Sequence, residues 1–260
     1  MIRFKSLGSG SSGNSSIVEG RCGTLTGRLL VDCGLGIPIL AEQLGEAGLA
    51  YGQLDGIFIT HEHSDHVGCV LTLALRHRIP VWLSEGTFRA MGEPELHGLL
   101  RIATHDTPID FGGFEARPFA VPHDAAEPLH LRCSDGNHHI ALLTDLGHGS
   151  PDVAAYIADC SALLLEANHD EDMLRNGRYP VFLKRRIAGP HGHLSNVQTT
   201  QLLRMLQPGK LQRIVAAHLS KENNRPEIAQ AALSMALGWH ASDIDVALQR
   251  GGSPWVQMGS

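Results

Sequence analysis

Residues 61–66 read HEHSDH and directly follow the apolar segment LDGIFIT. The apolar segment predicts a buried strand, and the two-residue period of an extended chain can turn His61 and His63 to one side. Asp65 and His66 follow as the chain enters a predicted helix. Imidazole and carboxylate groups suit zinc, manganese or iron, so four such groups in six residues can serve two metal ions from one loop. The alternative is a polar loop whose histidines only make hydrogen bonds.

Strands and helices alternate on both sides of this motif. LLVDCG predicts a buried strand that ends at Asp32, and VAAHLS predicts another that leads into His218. Helices are predicted over 37–48, 65–78, 151–158, 195–206 and 225–237, and a final β-hairpin over 243–258. This alternation predicts a layered α/β fold. Because no repeat or long linker interrupts the chain, we predict a single domain over 1–260.

Composition excludes several classes of protein. Hydrophobic residues make up 43% of the 260 residues, which excludes disorder for most of the chain. The net charge of −6 argues against a generally basic nucleic-acid-binding surface. No run approaches the ~18 apolar residues of a membrane span, and the first residues lack the apolar core of a signal peptide, so no membrane partner is expected. Five cysteines without a C-x-x-C pair favour reduced thiols and a cytoplasmic location.

The HEHSDH motif behind an apolar strand resembles the signature of the metallo-β-lactamase superfamily. The resemblance implies a four-layer αββα sandwich with two divalent ions, Zn, Mn or Fe, at one rim of the sheets. It also implies that Asp32 braces the ligand loop. The implied ligands are His61, His63, His123 and Asp145 for the first ion, and Asp65, His66, His218 and the shared Asp145 for the second.

Further segments resemble the YycJ/WalJ/VicX group of that superfamily: SLGSGSSGNS at 6–15, LEANHDEDML at 165–174, YPVFLKRRI at 179–187, GHLSN at 192–196 and HLSKENN at 218–224. This resemblance implies a phosphodiesterase, specifically a 5′-to-3′ DNA exonuclease with DNA as its macromolecular partner. An RNA or small-molecule phosphodiesterase is the alternative enzyme. A non-catalytic binding protein on the same fold is a third candidate, which the complete set of ligand positions disfavours. The sequence does not indicate an oligomeric state.

Glu166 and His193 resemble the Glu–His pair of tRNase Z-type enzymes. The resemblance implies that His193 is a general acid for the leaving oxygen and that Glu166 orients it, with Asp65 as a ligand and a third catalytic residue. The alternative is that His193 only braces the helix predicted over 195–206. His169 and His191 remain candidates for the proton donor.

Two segments are candidate substrate contacts. The glycine-rich opening contains Ser11 and Asn14 in a turn between predicted strands, where they are candidates to contact phosphate; a plain hairpin turn is the alternative. The segment 175–186 is the densest positive stretch of an acidic chain and includes Lys184, Arg185 and Arg186. It is a candidate track for a nucleic-acid backbone, and a solvated helix face is the alternative.

Overall fold

The computed structural model describes residues 1–206 and 209–259. Gln207, Pro208 and Ser260, which belong to the predicted domain 1–260, lie outside the described residues. The first of two seven-stranded sheets has the order β14-β1-β2-β3-β4-β5-β6. Its strands are β1 (Ile2–Gly8), β2 (Ser15–Cys22), β3 (Leu25–Val31), β4 (Gly56–Phe58), β5 (Val81–Leu83), β6 (Leu100–Ile102) and β14 (Val256–Met258). The neighbours from β14 to β3 are antiparallel, and those from β3 to β6 are parallel.

The second sheet has the order β13-β12-β11-β10-β9-β8-β7. Its strands are β7 (Ile109–Asp110), β8 (Glu115–Ala120), β9 (Leu129–Ser134), β10 (His139–Leu143), β11 (Ala162–Glu166), β12 (Arg213–Ala217) and β13 (Ile244–Val246). It repeats the organisation of the first sheet, because β7 to β10 are antiparallel neighbours and β10 to β13 are parallel ones.

Helices cover the outer face of each sheet. They are α1 (Ile37–Glu46), α2 (Ser64–Val67), α3 (Val70–His77), α4 (Glu85–Ala90), α5 (Pro151–Ile157), α6 (Glu171–Asn176), α7 (Val181–Ile187), α8 (Asn196–Met205) and α9 (Pro226–Leu237). The longest described helix, α9, has 12 residues. Among the described residues, no helix combines the length and the apolar character that crossing a bilayer requires.

Alternation along the central strands builds three apolar layers. In β11, Leu164 faces the core between the sheets, whereas Leu163 and Leu165 face the core under α5, α8 and α9. In β3, Leu29 faces the inner core and Leu30 faces the core under α1 and α3. Strands that are apolar on both faces are typical of sheets covered on both sides. The order of layers is therefore helix, sheet, sheet, helix, which confirms the predicted αββα sandwich.

The parallel strands of both sheets end at the same rim. Asp32 follows β3, Asp145 lies two residues beyond β10, Glu166 ends β11 and His218 follows β12. The loop after β4 carries the HEHSDH motif to this rim. Sites in α/β folds form at the carboxyl ends of parallel strands because loops from several strands meet there.

Two predicted elements differ from the structure. The helix predicted over 65–78 is divided into α2 and α3, because Gly68 takes a positive φ of 28° and packs against Cys33 and Gly34. The hairpin predicted over 243–258 is wrong. A turn does form, with a bridge between Leu248 and Gly252, but β13 pairs with β12 and β14 pairs with β1 in the other sheet. Each strand instead covers the open edge of its own sheet.

Gly34 packs directly beneath the loop that carries the HEHSDH motif. A Cβ at this position would overlap the backbone oxygen of Asp65, whereas a Cβ at Gly36 would meet nothing within 4 Å. We expect Gly34→Ala to destabilise the fold by about 1–3 kcal/mol through overpacking and to lower the metal content. Thermal unfolding and elemental mass spectrometry measure the two effects, with Gly36→Ala as the matched control. Equal behaviour of the two variants would contradict this prediction.

Candidate metal centre

Three histidines form the first half of a metal-binding cluster. The loop after β4 supplies His61 and His63, and the segment after β8 supplies His123. The Nδ1 atom of His63 lies 3.0 Å from Nε2 of His61 and 3.4 Å from Nε2 of His123. His61 and His123 are buried, and His63 is half-buried. Three converging imidazoles are a ligand set that zinc and similar ions accept.

The second half lies at the start of α2 and the end of β12. The Oδ2 atom of Asp65 lies 3.7 Å from Nε2 of His66 and 3.9 Å from Nε2 of His218. His66 is fully buried, and Asp65 is half-buried and lines the cavity above the cluster. The structure therefore brings together the two groups of residues that the sequence predicts.

Asp145 lies between the two halves. Its Oδ2 atom is 3.1 Å from Nε2 of His66, and its Oδ1 atom is 3.9 Å from Nε2 of His123. Oδ2 is buried, and its close contact with His66 does not have the geometry of a hydrogen bond, so among the described residues this oxygen has no hydrogen-bond partner. A buried carboxylate oxygen without a donor is energetically costly, and a cation shared with the surrounding imidazoles would compensate it. The residues present therefore fit a metal ion.

Four of the histidines use their second ring nitrogen to fix the orientation of the ring. The pairs are His61 Nδ1 with Thr60 Oγ1 at 3.0 Å, His66 Nδ1 with Asp32 Oδ2 at 2.8 Å, His123 Nδ1 with the Gly192 carbonyl at 3.1 Å, and His218 Nδ1 with the Thr144 carbonyl at 2.6 Å. Such contacts on Nδ1 fix the direction in which the Nε2 atom of each ring points, as in the metal-bound histidines of known sites.

Asp32 connects β3 to the ligand loop, as the resemblance implies. Its Oδ1 atom accepts hydrogen bonds from the backbone N–H of Thr60 at 2.9 Å and from the Thr60 hydroxyl at 3.0 Å. Its Oδ2 atom contacts His66. One buried carboxylate thus fixes both the backbone and one imidazole of the loop.

Asp32 and His218 both have left-handed backbone conformations, with φ of 62° and 54°. Non-glycine residues rarely adopt this region, and such residues persist where surrounding contacts fix them. The carbonyl of Asp32 accepts a hydrogen bond from the Ser15 hydroxyl at 2.8 Å. The N–H of His218 donates to Ser9 Oγ at 2.8 Å, and its carbonyl accepts from the Asn168 amide at 2.9 Å.

The glycine-rich turn 8–14 lies against the ligand loop. Asn14 is buried, accepts a hydrogen bond from the Gly10 N–H at 2.8 Å, and donates to Asp65 Oδ2 at 3.2 Å. Its side chain is therefore committed to protein partners, which favours a positioning role over the predicted phosphate contact. Ser11 is exposed and lines the cavity above the cluster, so its predicted phosphate contact stays a prediction.

Glu166 and His193 form a hydrogen-bonded pair at the edge of the cluster. His193 Nδ1 donates to Glu166 Oε1 at 2.8 Å, while Glu166 Oε2 accepts from the backbone N–H groups of Leu146 and Leu194. Burial alone would lower the pKa of His193, but the Glu166 carboxylate raises it above the usual value. Burial alone would raise the pKa of Glu166, but the neighbouring His193 holds the pKa of the Glu166 carboxyl below its usual range. The pair therefore favours an imidazolium next to a carboxylate.

Burial and neighbouring charges shift the pKa values of the clustered histidines in different directions. Burial holds the pKa of His61 well below its usual value, which favours the neutral ring that binds metals. Burial also opposes the charge of His66, but the carboxylates of Asp145 and Asp32 raise its pKa to about 10. Burial alone would raise the pKa of Asp145, but the neighbouring His218 and His66 lower it further than burial raises it. The pKa of Asp145 therefore lies well below its usual range. Asp145 is thus an anion that attracts cations.

The cluster opens into a cavity of about 410 Å³. Arg186 of α7 lines this cavity and pairs with Asp124 at 2.6 Å. Lys184 and Arg185 instead line a separate cavity on the other side of α7. The predicted basic track is therefore divided by its own helix.

The other candidate histidines lie outside the cluster. His191 is exposed, and His169 is buried beside the second cavity. In the described part of the chain, neither belongs to a group of side chains close enough to share a metal ion.

The sequence analysis missed Thr60, Asn168 and Tyr179. Thr60 joins Asp32 to His61, Asn168 holds the backbone of His218, and Tyr179 lines the cavity. Thr60 directly precedes His61, and Asn168 lies two residues after Glu166. This proximity to motif residues is the only signal that the sequence offers for them. Tyr179 begins the segment YPVFLKRRI, whose role depends on where α7 packs.

A protein-family model described as the beta-lactamase superfamily domain matches residues 27–218 of the chain. The chain belongs to the metallo-β-lactamase superfamily. It is 36% identical over 243 residues to exodeoxyribonuclease YycJ of Bacillus anthracis, covering 91% of this chain and 89% of the relative. It is 35% identical over 237 residues to exodeoxyribonuclease WalJ of Streptococcus pneumoniae, covering 89% and 87%. The predicted YycJ/WalJ-like resemblance is confirmed.

Among solved structures, the metallo-beta-lactamase fold protein YhfI from Bacillus subtilis superposes with a TM-score of 0.75 and 14% identity, covering 99% of this chain and 100% of that one. This likeness concerns the fold alone. The superfamily membership and the relatives identify the chain as a metal-dependent hydrolase, as predicted.

Asp145 provides a direct test of the metal centre of this superfamily member. We expect Asp145→Asn to weaken metal binding by at least about 10-fold, since an amide removes the negative charge between the two halves of the cluster. Titration of the metal-free protein with Zn²⁺ or Mn²⁺ by calorimetry measures this change. The exposed Asp172, changed to Asn, is the control and keeps full binding. Unchanged binding in Asp145→Asn would argue against a metal between the two halves.

Proposed function

We propose that the chain is a DNA exonuclease of 5′-to-3′ polarity that uses two divalent ions and acts as one domain over 1–260. The observation that carries the proposal is the pair of ligand groups on either side of Asp145. His61, His63 and His123 would hold one ion, Asp65, His66 and His218 the other, and Asp145 both. Zinc, manganese and iron all suit this ligand set. The nuclease names of YycJ and WalJ support nucleic acid as the substrate.

Two ions held by these residues would supply a clamp for a phosphate and would lower the pKa of a water molecule so that it could act as the nucleophile at neutral pH. The protein supplies the remaining groups. His193 uses Nδ1 to bind Glu166, so its Nε2 carries the proton for the leaving oxygen. Glu166 fixes the ring and stabilises its positive charge. The half-buried position of His193 on the cavity wall allows it to approach a bound phosphodiester.

The basic residues of α7 support a polyanionic substrate. Arg186 lies in the metal cavity, and Arg185 lies on the opposite flank of the helix. Contacts of this kind bind phosphates without reading sequence. Ser11, which lines the metal cavity, is a further candidate contact. The cytoplasmic location predicted from the cysteines stays a prediction.

A substrate panel tests the proposed function. Purified protein supplied with Mn²⁺ or Zn²⁺ is incubated with single- and double-stranded DNA labelled at either end, with RNA, and with bis(p-nitrophenyl) phosphate. We expect release of mononucleotides from the 5′ end of DNA, and no activity in Asp65→Ala/His66→Ala. Preference for RNA, or hydrolysis of the small ester alone, would favour the alternative phosphodiesterase functions. Release from the 3′ end would contradict the proposed polarity.

The proposed proton donor makes a prediction that depends on the leaving group. We expect His193→Ala to slow DNA hydrolysis by about 10²-fold or more, because general acids contribute 10²- to 10⁴-fold. Nitrophenolate leaves without a proton, so hydrolysis of bis(p-nitrophenyl) phosphate falls far less. Initial rates on both substrates measure the difference.

His191→Ala is the matched control for His193→Ala, because His191 is exposed and lies two residues away. We expect it to act on both substrates like the wild type. Metal content, measured alongside, separates loss of the acid from loss of the ions. Equal slowing of both substrates by His193→Ala would remove its assignment as the acid, and a selective effect of His191→Ala would transfer the role.

A further inference from the structure

Helix α7 (Val181–Ile187) is an unusual surface element, because none of its residues is buried. Phe182 is 74% exposed and Val181 is 63% exposed. Isolated exposed apolar residues are common on proteins. Here, however, Phe182 lies just before three basic residues in an acidic chain, and its neighbour Leu183 lines the metal cavity.

The helix divides two cavities. Leu183, Arg186 and Ile187 line the metal cavity. Val181 and Arg185 line a second cavity of about 520 Å³ on the opposite flank. The 3.6-residue period places Phe182 on the outward crest between these flanks, next to Arg185 on the following turn.

The second cavity carries positive charge and apolar surface. Arg175, Lys184 and Arg185 line it, opposed by the single acid Glu171, which accepts a hydrogen bond from the Ser195 hydroxyl at 2.9 Å. Arg175 pairs with Asp172, and the Lys184 ammonium donates to the Arg175 carbonyl. Within residues 1–206 and 209–259, Arg185 has no ion-pair partner.

One buried polar group also borders the second cavity. His169 is 1% exposed, and its Nδ1 atom has no hydrogen-bond partner in the described part of the chain. Leu174 and Val181 add apolar surface to the wall. Cationic groups together with apolar surface match a nucleic-acid strand, which presents phosphates and base faces at once.

We propose that α7 is a ridge that separates the strands of a duplex end. The strand to be hydrolysed passes down the Arg186 flank to the metal centre, and the complementary strand follows the Arg185 flank into the second cavity. Phe182 on the crest stacks on the last intact base pair, and this stacking offsets the loss of pairing. The proposal rests on the proposed nuclease function and adds to it a strand-separating ridge and a second strand-binding site.

Phe182→Ala tests the ridge on four substrates: a blunt duplex, a fork with unpaired arms, single-stranded DNA and bis(p-nitrophenyl) phosphate. We expect about a 10-fold or greater fall in the rate on the blunt duplex, as for the loss of one aromatic stack. The fork restores the rate to within about twofold of wild type, because its strands are already separated. Phe182→Trp keeps the activity on the blunt duplex. Met235→Ala, a control at an 81% exposed residue of α9, changes nothing.

Arg185→Ala tests the second cavity. We expect its affinity for a fork with both arms to fall more than its affinity for a fork that lacks the complementary arm. Equal losses on both forks, or equal losses of Phe182→Ala on all DNA substrates, would overturn the ridge. A wild-type enzyme that degrades single strands but no duplex would overturn the ridge and leave the proposed function standing. Ester hydrolysis without any DNA hydrolysis would contradict the proposed function and the ridge together.

Discussion

The buried carboxylate of Asp32 is the contact on which the metal-binding cluster depends. It directly follows β3, binds the backbone and hydroxyl of Thr60 just beyond the neighbouring strand β4, and orients the imidazole of His66. A buried carboxylate is tolerated only where hydrogen-bond donors surround it. The Asp32 carboxylate therefore holds Thr60 and His66 in place, because moving either would deprive it of a donor. The HEHSDH loop therefore leaves the first sheet in one geometry, and that geometry sets the positions of all its candidate ligands.

The second sheet contributes to the cluster by the same device. Asp145, Glu166 and His218 leave three neighbouring strands, β10, β11 and β12, at the rim where β3 and β4 also end. Each sheet supplies candidate ligands that would be too few alone, and the packing of the two sheets around their shared core brings them within a few ångströms. The inner core thus has a functional role, because a shift between the sheets would separate the two groups of ligands.

Much of this arrangement could be predicted from the sequence, because the candidate ligands occur in compact motifs behind apolar strands. HEHSDH, LLVDCG and VAAHLS each combine a buried strand with a polar residue at its carboxyl end. The predicted helices at 37–48, 151–158, 195–206 and 225–237 are found with small differences at their ends. The pairing of the last two strands could not be predicted from the local pattern. That pattern is the same whether β13 and β14 pair with each other or with the edges of two different sheets, and the whole fold decides between the two. The role of Asn14 was hidden for the same reason.

The turn between β1 and β2 links the two halves of the cluster. Ser15 binds the left-handed residue Asp32 of the first sheet, and Ser9 binds the left-handed residue His218 of the second. Between them, Asn14 donates to Asp65. Gly13, with a positive φ of 139°, lets the turn approach the Gly34 backbone, where a side chain would overlap its carbonyl. Small residues are required here because the turn passes between two strained backbone positions, Asp32 and His218. The polar side chains of Ser9, Asn14 and Ser15 form hydrogen bonds to protein groups. Changes in this turn should therefore act on the geometry of the candidate metal ligands before they act on substrate.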